Sequence, residues 1–327
     1  MPATRGGISA ASVLPVAYVE DPFDEHRGHL SGVAYRLTGS WADAEDAVQD
    51  AWLRWSRLPA SRRAAVRDER AWLTTTVARL CLDRVRSAPA RRERYVGPWL
   101  PEPLVTAVDP VGSAAEDPLA RLVRSEDVRL AALVVLDRLS PDQRVALVLH
   151  DVAGLPFADV ADLLGCPHAT ARQHAVRARR ILEDAREQGA LPAPADHAAH
   201  RAALDEFVAA LTAGDVHALA AVLHPEVEMR SDGGGVVRAA RNVVRGATKV
   251  ARLLVAVAAE DPTSSAGARE VLVNGELGLL VPTTPHPTVV VLAVADGRAR
   301  HVQIVLNPEK ARLSPAVAPG PGSTPGR

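Results

Sequence analysis

Long apolar runs are absent from this 327-residue chain, and cysteine is scarce. No window approaches the roughly 20 apolar residues of a membrane span, and the N-terminus lacks a charged start followed by a sustained apolar stretch, so neither a membrane segment nor a secretory leader is expected. The two cysteines, Cys81 and Cys166, lie far apart within helical patterns, which predicts buried reduced thiols and a cytoplasmic home rather than a disulfide framework. Lysine is nearly missing. Lys249 and Lys310 stand against many Arg, Ala, Gly and Pro, the bias that GC-rich codons produce. No phosphate-binding glycine motif appears. The scattered histidines, the His197/His200 pair included, have no metal-ligand spacing, so no metal and no cofactor is assigned.

What is present is 47% hydrophobic, enough for packed cores, in a length that suits two or three domains of about 100 to 150 residues. The net charge of −1 conceals segregation. Residues 40–50 carry Asp43, Glu45, Asp46 and Asp50 with no Lys or Arg, whereas Arg79, Arg84, Arg86, Arg91, Arg92 and Arg94 fall in one basic segment. A second basic cluster lies in residues 155–182, LPFADVADLLGCPHATARQHAVRARRIL. The near-neutral total thus covers two candidate anion-binding surfaces.

That second stretch reads as a helix-turn-helix. Val160, Leu163 and Leu164 make an apolar stripe at helical spacing, Gly165 supplies the left-handed residue that ends one helix, and Pro167 suits the first turn of the next. Two short helices therefore meet at a steep angle. On the second, Ala171 and Ala175 are small enough for close packing, while Arg172, Gln173, Arg177, Arg179 and Arg180 point elsewhere, toward phosphates and base edges. An ordinary helical hairpin with a solvated basic face has the same pattern, so context decides.

Along the chain, helices are expected over Phe23–Leu37, Ala42–Arg57 and about Asp68–Arg86, followed by six prolines in residues 87–118 that predict a tether. A second helical module ends in the helix-turn-helix, and GALPAPAD (189–196) is another linker. Beyond His200, helices Arg201–Thr212, Val216–Leu223 and about Ala247–Ala259 accompany candidate strands Val227–Arg230, Val271–Val273, Leu277–Val281, Thr288–Val294 and Arg300–Leu306. Turns at Gly233–Gly235, Asn274-Gly275 and Asp296-Gly297 predict hairpins in an α+β domain with helices on a curved antiparallel sheet. The divisions are a disordered start (1–18), a helical module (19–90), a Pro-rich linker (91–118), a second helical module (119–187), a linker (188–199), the α+β domain (200–313) and a disordered tail (314–327).

The segment DAEDAVQDAWLRW (43–55) resembles region 2 of sigma-70 family factors, AWLTTTVARLCLDRVRS (71–87) their promoter-melting segment, and LDRLSPDQRVALVLHDVAGLPFADVADLLG (136–165) the start of region 4. Two modules with no large intervening region resemble the extracytoplasmic-function (ECF) class. YVGPWLPEPLV (95–105), SDGGG (231–235) and NPEK (307–310) look like its SigJ-like subgroup, whose members carry a C-terminal SnoaL-like domain of the NTF2-like fold. The resemblance implies a multidomain fold of two all-α modules and an NTF2-like cone. The implied function is that of an alternative sigma factor, which binds RNA polymerase core (β′ clamp helices, β flap) and directs initiation at promoter DNA through its minus-35 and minus-10 elements. The pattern departs at Arg79, where ordinary members carry Asn, at Val236, where the subgroup often has Lys, and at Ala311, where Leu is usual.

On this resemblance Asp43, Glu45, Asp46, Gln49 and Asp50 meet the polymerase core, Asp46, Gln49 and Asp50 sharing one helix face at i, i+3 and i+4. Arg79, Arg84 and Arg86 beside Trp72 suit a displaced strand. Thr170, Arg172, Gln173 and Arg177 suit bases or phosphates, and Arg179 and Arg180 the DNA backbone. Trp99, Leu100, Pro101, Glu102 and Pro103 of the linker, with Asp232, Gly233, Gly234, Gly235, Asn307 and Pro308, are expected to regulate the factor in cis. No catalytic residue is assigned and no membrane partner is expected; the sequence names no small-molecule ligand. Two other readings stay open: a ligand-sensing one-component DNA-binding regulator, and a cyclase or isomerase using Asp232 or Glu228 as base.

Overall fold

The computed structural model describes residues 22–93, 95–108, 129–191, 197–262, 267–284, 286–310 and 317. The expected disordered start (1–18) and tail (314–327, Val317 apart) lie outside the described residues. So do Arg94, linker residues 109–118 and 192–196, residues 119–128 of the second module, and the side chains of Arg91 and Arg92.

The N-terminal module comprises α1 (Pro22–Thr38), α2 (Trp41–Ser56), α3 (Ala60–Ala64) and α4 (Glu69–Glu93). Ser40 starts α2 by accepting the Asp43 amide at 3.3 Å, and Ala44, Ala47, Val48, Ala51 and Trp55 form its buried stripe. That stripe packs on Leu30, Val33 and Leu37 of α1 and Leu73, Val77 and Cys81 of α4. Both cysteines are free; burial pushes the Cys81 thiol up to about 12, and Cys166 is half-buried. The third long helix does not stop at Arg86 but runs past Pro89 to Glu93. Pro89 forfeits its own helical hydrogen bond, and the burial of Val85 and Ala88 holds the turn before it.

The second module contains α5 (Leu130–Leu136), α6 (Pro141–Leu147), a π-helical turn (Val148–Val152), α7 (Phe157–Leu164) and α8 (His168–Glu187). A capping box of Ser140 and Gln143, with Pro141 in the first turn, starts α6. Gly165, at φ 68°, closes α7 as its sequence position predicts. The two helical modules are not separate bodies on a tether: residues of α1, α2 and α4 share one apolar core with α6, α7 and α8. Buried Arg144 crosses the seam, donating from Nη1 to the Leu37 carbonyl (3.1 Å) and from Nε to Leu136 (3.0 Å), with Nη2 on Asp137 at 2.6 Å. A cation there compensates the C-terminal carbonyls of α1.

The C-terminal domain packs α9 (His197–Thr212), α10 (Val216–Val222) and α11 (Ala247–Glu260) on an open sheet ordered β1-β4-β5-β6-β7-β2-β3. The strands are β1 (Val105–Thr106), β2 (Leu223–Asp232), β3 (Val244–Arg245), β4 (Arg269–Val273), β5 (Glu276–Val281), β6 (Thr288–Ala295) and β7 (Arg298–Val305). Two features differ from the expected antiparallel sheet. β2 lies parallel to β7, with Glu228 opposite His301, because the long excursion through α11 returns the chain in the same direction. β1 comes from the linker and pairs with β4, Val105 opposite Val273, so residues 95–108 are bound to the domain and are not a free tether. Asn274-Gly275 and Asp296-Gly297 all have positive φ, as two-residue hairpin turns require.

Both sheet faces are covered. One carries Met229, Val290, Leu292 and Val302 against Leu204, Phe207, Leu219 and Val250 of the domain's own helices. The other carries Val271, Val289, Val291 and Val305 against Leu100 and Val105 of the linker and Leu130 of α5, and Ala293 against Val135 and Ala185. β6 is accordingly buried from Thr288 through Val294.

Candidate functional site: the reading helix, the acidic helix and the linker junction

The helix-turn-helix buries Ala171, Ala175 and Ala178 of α8 and leaves Arg172, Gln173, Val176, Arg177 and Arg180 exposed, with Thr170 half-buried. Arg172 is aimed by its neighbours: its guanidinium lies 5.5 Å from the centroid of Phe157, which stacks on His150 at 3.7 Å. This stacking orders a long side chain without using its donors. Arg179, expected at the DNA backbone, is engaged within the module. It forms a two-pronged bond to Asp151, Nε to Oδ2 at 2.7 Å and Nη2 to Oδ1 at 2.5 Å, which raises its pKa and commits it to the fold. Val176 has no charge or motif to mark it in the sequence, yet it is 55% exposed on the reading face, where an apolar side chain suits a thymine methyl.

On α2, Glu45, Asp46, Gln49 and Asp50 are exposed and Asp43 is half-buried. Arg84 of α4 reaches them: Nε lies 3.3 Å from Asp43, Nη2 3.6 Å from Asp46, and Nη1 donates to the Asp43 carbonyl at 3.0 Å. Arg84, expected at a displaced strand, braces the acidic helix. Arg86 likewise faces the second module, 3.4 Å from Asp142 and from the Leu164 carbonyl. Of the three, Arg79 and Arg86 are exposed on α4 and Arg84 is half-buried. Trp72 is half-buried with its ring 5.1 Å from that of Trp55, so it belongs to the core more than to a stacking surface.

The linker residues and the glycine motif, far apart in sequence, converge on one buried carboxylate. Asp232 is fully buried and accepts from the Tyr95 hydroxyl (2.5 Å), Lys310 Nζ (2.7 Å), the Leu100 amide (2.8 Å) and the Gly234 amide (3.1 Å). Lys310 also donates to the Leu100 carbonyl at 2.6 Å and sits 4.9 and 4.4 Å from the ring centroids of Tyr95 and Trp99. Burial, then the bond to Asp232, push the Tyr95 pKa up, so the hydroxyl stays a donor. Asn307 donates to the Tyr95 oxygen at 3.0 Å. Gly234, at φ 64°, has no room for a side chain: a Cβ would stand 2.5 Å from the Asn307 side chain. Gly233 and Gly235 flank it in the same turn, and Pro308 follows Asn307 half-buried.

The same linker reaches the acidic helix. Glu102 Oε2 accepts the Trp41 amide at 2.8 Å and the Ser40 hydroxyl at 3.2 Å, and its amide donates to the Gly39 carbonyl at 2.9 Å. A carboxylate there opposes the positive end of α2. Pro101 and Pro103 are buried beside it. Tyr35 of α1 donates to the Glu102 carbonyl at 2.5 Å and accepts from Asn274 Nδ2 at 2.9 Å, while Asn274 Oδ1 accepts the Leu104 amide at 3.0 Å. In the sequence Asn274 reads as a turn residue and Tyr35 as part of a helix; their junction role has no local signal. Tyr95 and Lys310 stand inside the recognised motifs, where nothing local gives them a role.

The fold joins a helix-turn-helix, an acidic helix and an α+β domain through one clamped linker, the organisation of a multidomain transcription initiation factor. Residues 23–91 match the family model for sigma-70 region 2, and residues 129–182 that for sigma-70 region 4. The chain is 45% identical over 302 residues to the ECF RNA polymerase sigma factor SigJ of Mycobacterium tuberculosis (strain ATCC 25618 / H37Rv), covering 90% of this chain and 93% of the relative. It is 38% identical over 203 residues to the probable ECF RNA polymerase sigma factor SigI of Mycobacterium tuberculosis (strain CDC 1551 / Oshkosh), covering 62% and 66%. The crystal structure of Mycobacterium tuberculosis SigJ superposes with a TM-score of 0.70 at 41% identity, over 88% of this chain and 96% of that one. The chain belongs to the ECF class of RNA polymerase sigma factors.

Proposed function

We propose that this alternative sigma factor docks on RNA polymerase core through Asp46, Gln49 and Asp50 of α2, with Asp43 and Glu45 beside them. In this reading α8 reads the minus-35 element through Arg172, Gln173 and Arg177, with Thr170 and Arg180 at the flanks, and Arg79 of α4 contacts the minus-10 strand. The C-terminal domain regulates it in cis by clamping the linker.

One observation carries the cis regulation: the two helical modules share a core. Elements named minus-35 and minus-10 lie roughly 25 base pairs apart, about 85 Å of duplex at about 3.4 Å per pair. Modules whose Arg86 and Asp142 stand 3.4 Å apart do not span that length. The compact form is therefore a closed form, and promoter engagement requires α6 to α8 to leave α1 and α4. The linker that must release them is held at Asp232, Glu102 and Asn274.

The reading includes no catalytic step. Both oxygens of Asp232 are occupied by donors, and Glu228 is shared between Arg230 and Arg245 at 2.9 Å each, so neither offers a free base. Among the described residues no group of three His, Cys, Asp or Glu is placed to hold a metal ion.

The test is core-dependent promoter binding. Full-length protein with and without purified RNA polymerase core is offered a genomic fragment library, and retained fragments are transcribed in vitro. Sequence-selective binding and transcription are expected only with core. Selective binding by the protein alone would favour the one-component regulator.

A further inference from the structure

One segment of the C-terminal domain is unlike the rest of the chain in charge. Residues 233–259 contain Arg238, Arg241, Arg245, Lys249 and Arg252 and no Asp or Glu, a charge of +5; the whole chain is at −1, so everything outside this segment sums to −6. All five cations are exposed. They follow one another along a continuous edge: the loop after β2, the edge strand β3, and α11, where Lys249 and Arg252 stand three apart on one face. Two have acidic neighbours from outside the segment. Arg245 shares Glu228 with Arg230, and Arg238 lies 3.6 Å from Glu260 in a pair 90% and 64% exposed, too solvated to hold either charge. Arg241, Lys249 and Arg252 make no ion pair among the described residues. The first turn of α11 adds further positive potential, since Gly246 gives it no side-chain cap.

This edge is attached to the reading helix. Arg300 of β7 donates to the Gln188 carbonyl at 3.1 Å and His301 lies 2.9 Å from the Gly189 carbonyl, so the foot of α8 is gripped by the sheet. Burial lowers the His301 pKa, leaving a neutral ring whose Nε2–H serves as the donor. β7 neighbours β2, which neighbours β3, so β3 lies about 10 Å from β7, at about 4.8 Å per strand, and α11 continues the basic edge over the sheet face opposite α8.

We infer that this basic edge of the C-terminal domain is a third DNA contact, in which Arg241, Lys249 and Arg252 take phosphates of the duplex flanking the element read by α8. The inference rests on the promoter-binding reading above. A run of exposed cations without acidic partners, fixed relative to a reading helix, has the chemistry of a backbone clamp: it adds affinity and register without choosing bases.

The experiment uses holoenzyme assembled from the full chain and polymerase core, with a duplex promoter fragment recovered by the wild type, over a KCl series. Neutralising the three side chains together (Arg241→Gln, Lys249→Gln, Arg252→Gln) is expected to weaken binding by roughly tenfold or more at low salt and to make the slope of log affinity against log salt shallower by about 2 to 3, at about 0.9 per phosphate. Discrimination between promoter and scrambled fragments should be kept. The charge-keeping set Arg241→Lys, Lys249→Arg and Arg252→Lys should retain the wild-type slope, which a folding defect would not reproduce. If wild-type holoenzyme binds and the neutral triple variant matches it in affinity and slope, this inference alone is overturned. A loss of core affinity with an unchanged DNA slope also overturns it, in favour of a polymerase contact. A wild-type holoenzyme that binds no promoter overturns the parent reading and this one with it.

Discussion

Replacing Asp232 by Asn keeps the shape of the side chain and removes its charge, which makes it a sharp probe of the linker junction. In the native protein the carboxylate is fully buried and takes four donors, one of them the ammonium of Lys310, whose side chain is 13% exposed. The amide introduced by Asp232→Asn would offer one acceptor oxygen where two stood and would point an N–H₂ at other donors, depriving the Lys310 ammonium of this buried carboxylate. Removing one member of such a buried pair costs about 3 to 5 kcal/mol, a factor of about 10² to 10⁴ in the junction's opening equilibrium. The loss should be local. The Leu100 amide, which donates to Asp232, should lose hydrogen-exchange protection, whereas amides in the Leu204 to Phe207 core should keep theirs. Lys310→Met removes the other partner, and the double variant should recover part of the loss, with a coupling energy of about 2 kcal/mol or more in a double-mutant cycle. Unchanged Leu100 exchange in Asp232→Asn, or additive effects in the cycle, would refute the claim that this ion pair holds the linker.

Other consequences are equally direct. Arg172→Lys should weaken discrimination at the minus-35 element more than overall affinity, since Lys neither stacks on Phe157 nor forms a two-pronged base contact; equal loss on all sequences in competition binding would sink the assignment. Arg177→Ala should reduce DNA binding with little change in stability, while Arg179→Ala should do the reverse, lowering stability by about 1 kcal/mol in urea titration through loss of Asp151. Gly39→Ala should destabilise the first module by about 1 to 3 kcal/mol, because the residue has φ 69° and its new Cβ would stand 2.8 Å from the Trp99 ring; a wild-type urea midpoint would contradict this. His29, held neutral between Arg70 and Thr74, has its pKa lowered by burial and then by Arg70 to about 4 from 6.5. The unfolded chain therefore binds the extra proton first, so stability is full above about pH 6.5 and declines as pH falls toward 4. His29→Gln should flatten that part of the stability profile, and an unchanged slope would exclude the histidine as its source.

The sequence by itself determined most of what depends on neighbours within a few turns, the run of α4 past Pro89 excepted. The stripe of Val160, Leu163 and Leu164, the stop at Gly165 and the small face of Ala171 and Ala175 were all legible, because helix periodicity and capping are local. So were the turns at Asn274-Gly275 and Asp296-Gly297, where positive φ selects the residue type. The run TVVVLAVA of β6 is apolar without alternation because its sheet is covered on both faces, and only the structure says by what. Tertiary structure decided the rest. It turned Arg84 and Arg179 from free cations into braces for Asp43 and Asp151, because an arginine reaches any carboxylate within about 4 Å whatever their separation in sequence. It made a strand of Val105 and Thr106, which no local propensity distinguishes in a proline-rich linker, because β4 offered an unpaired edge. And it brought Tyr95, Leu100 and Lys310 to Asp232, up to 137 residues apart, because a buried carboxylate must find its donors wherever the packed chain supplies them.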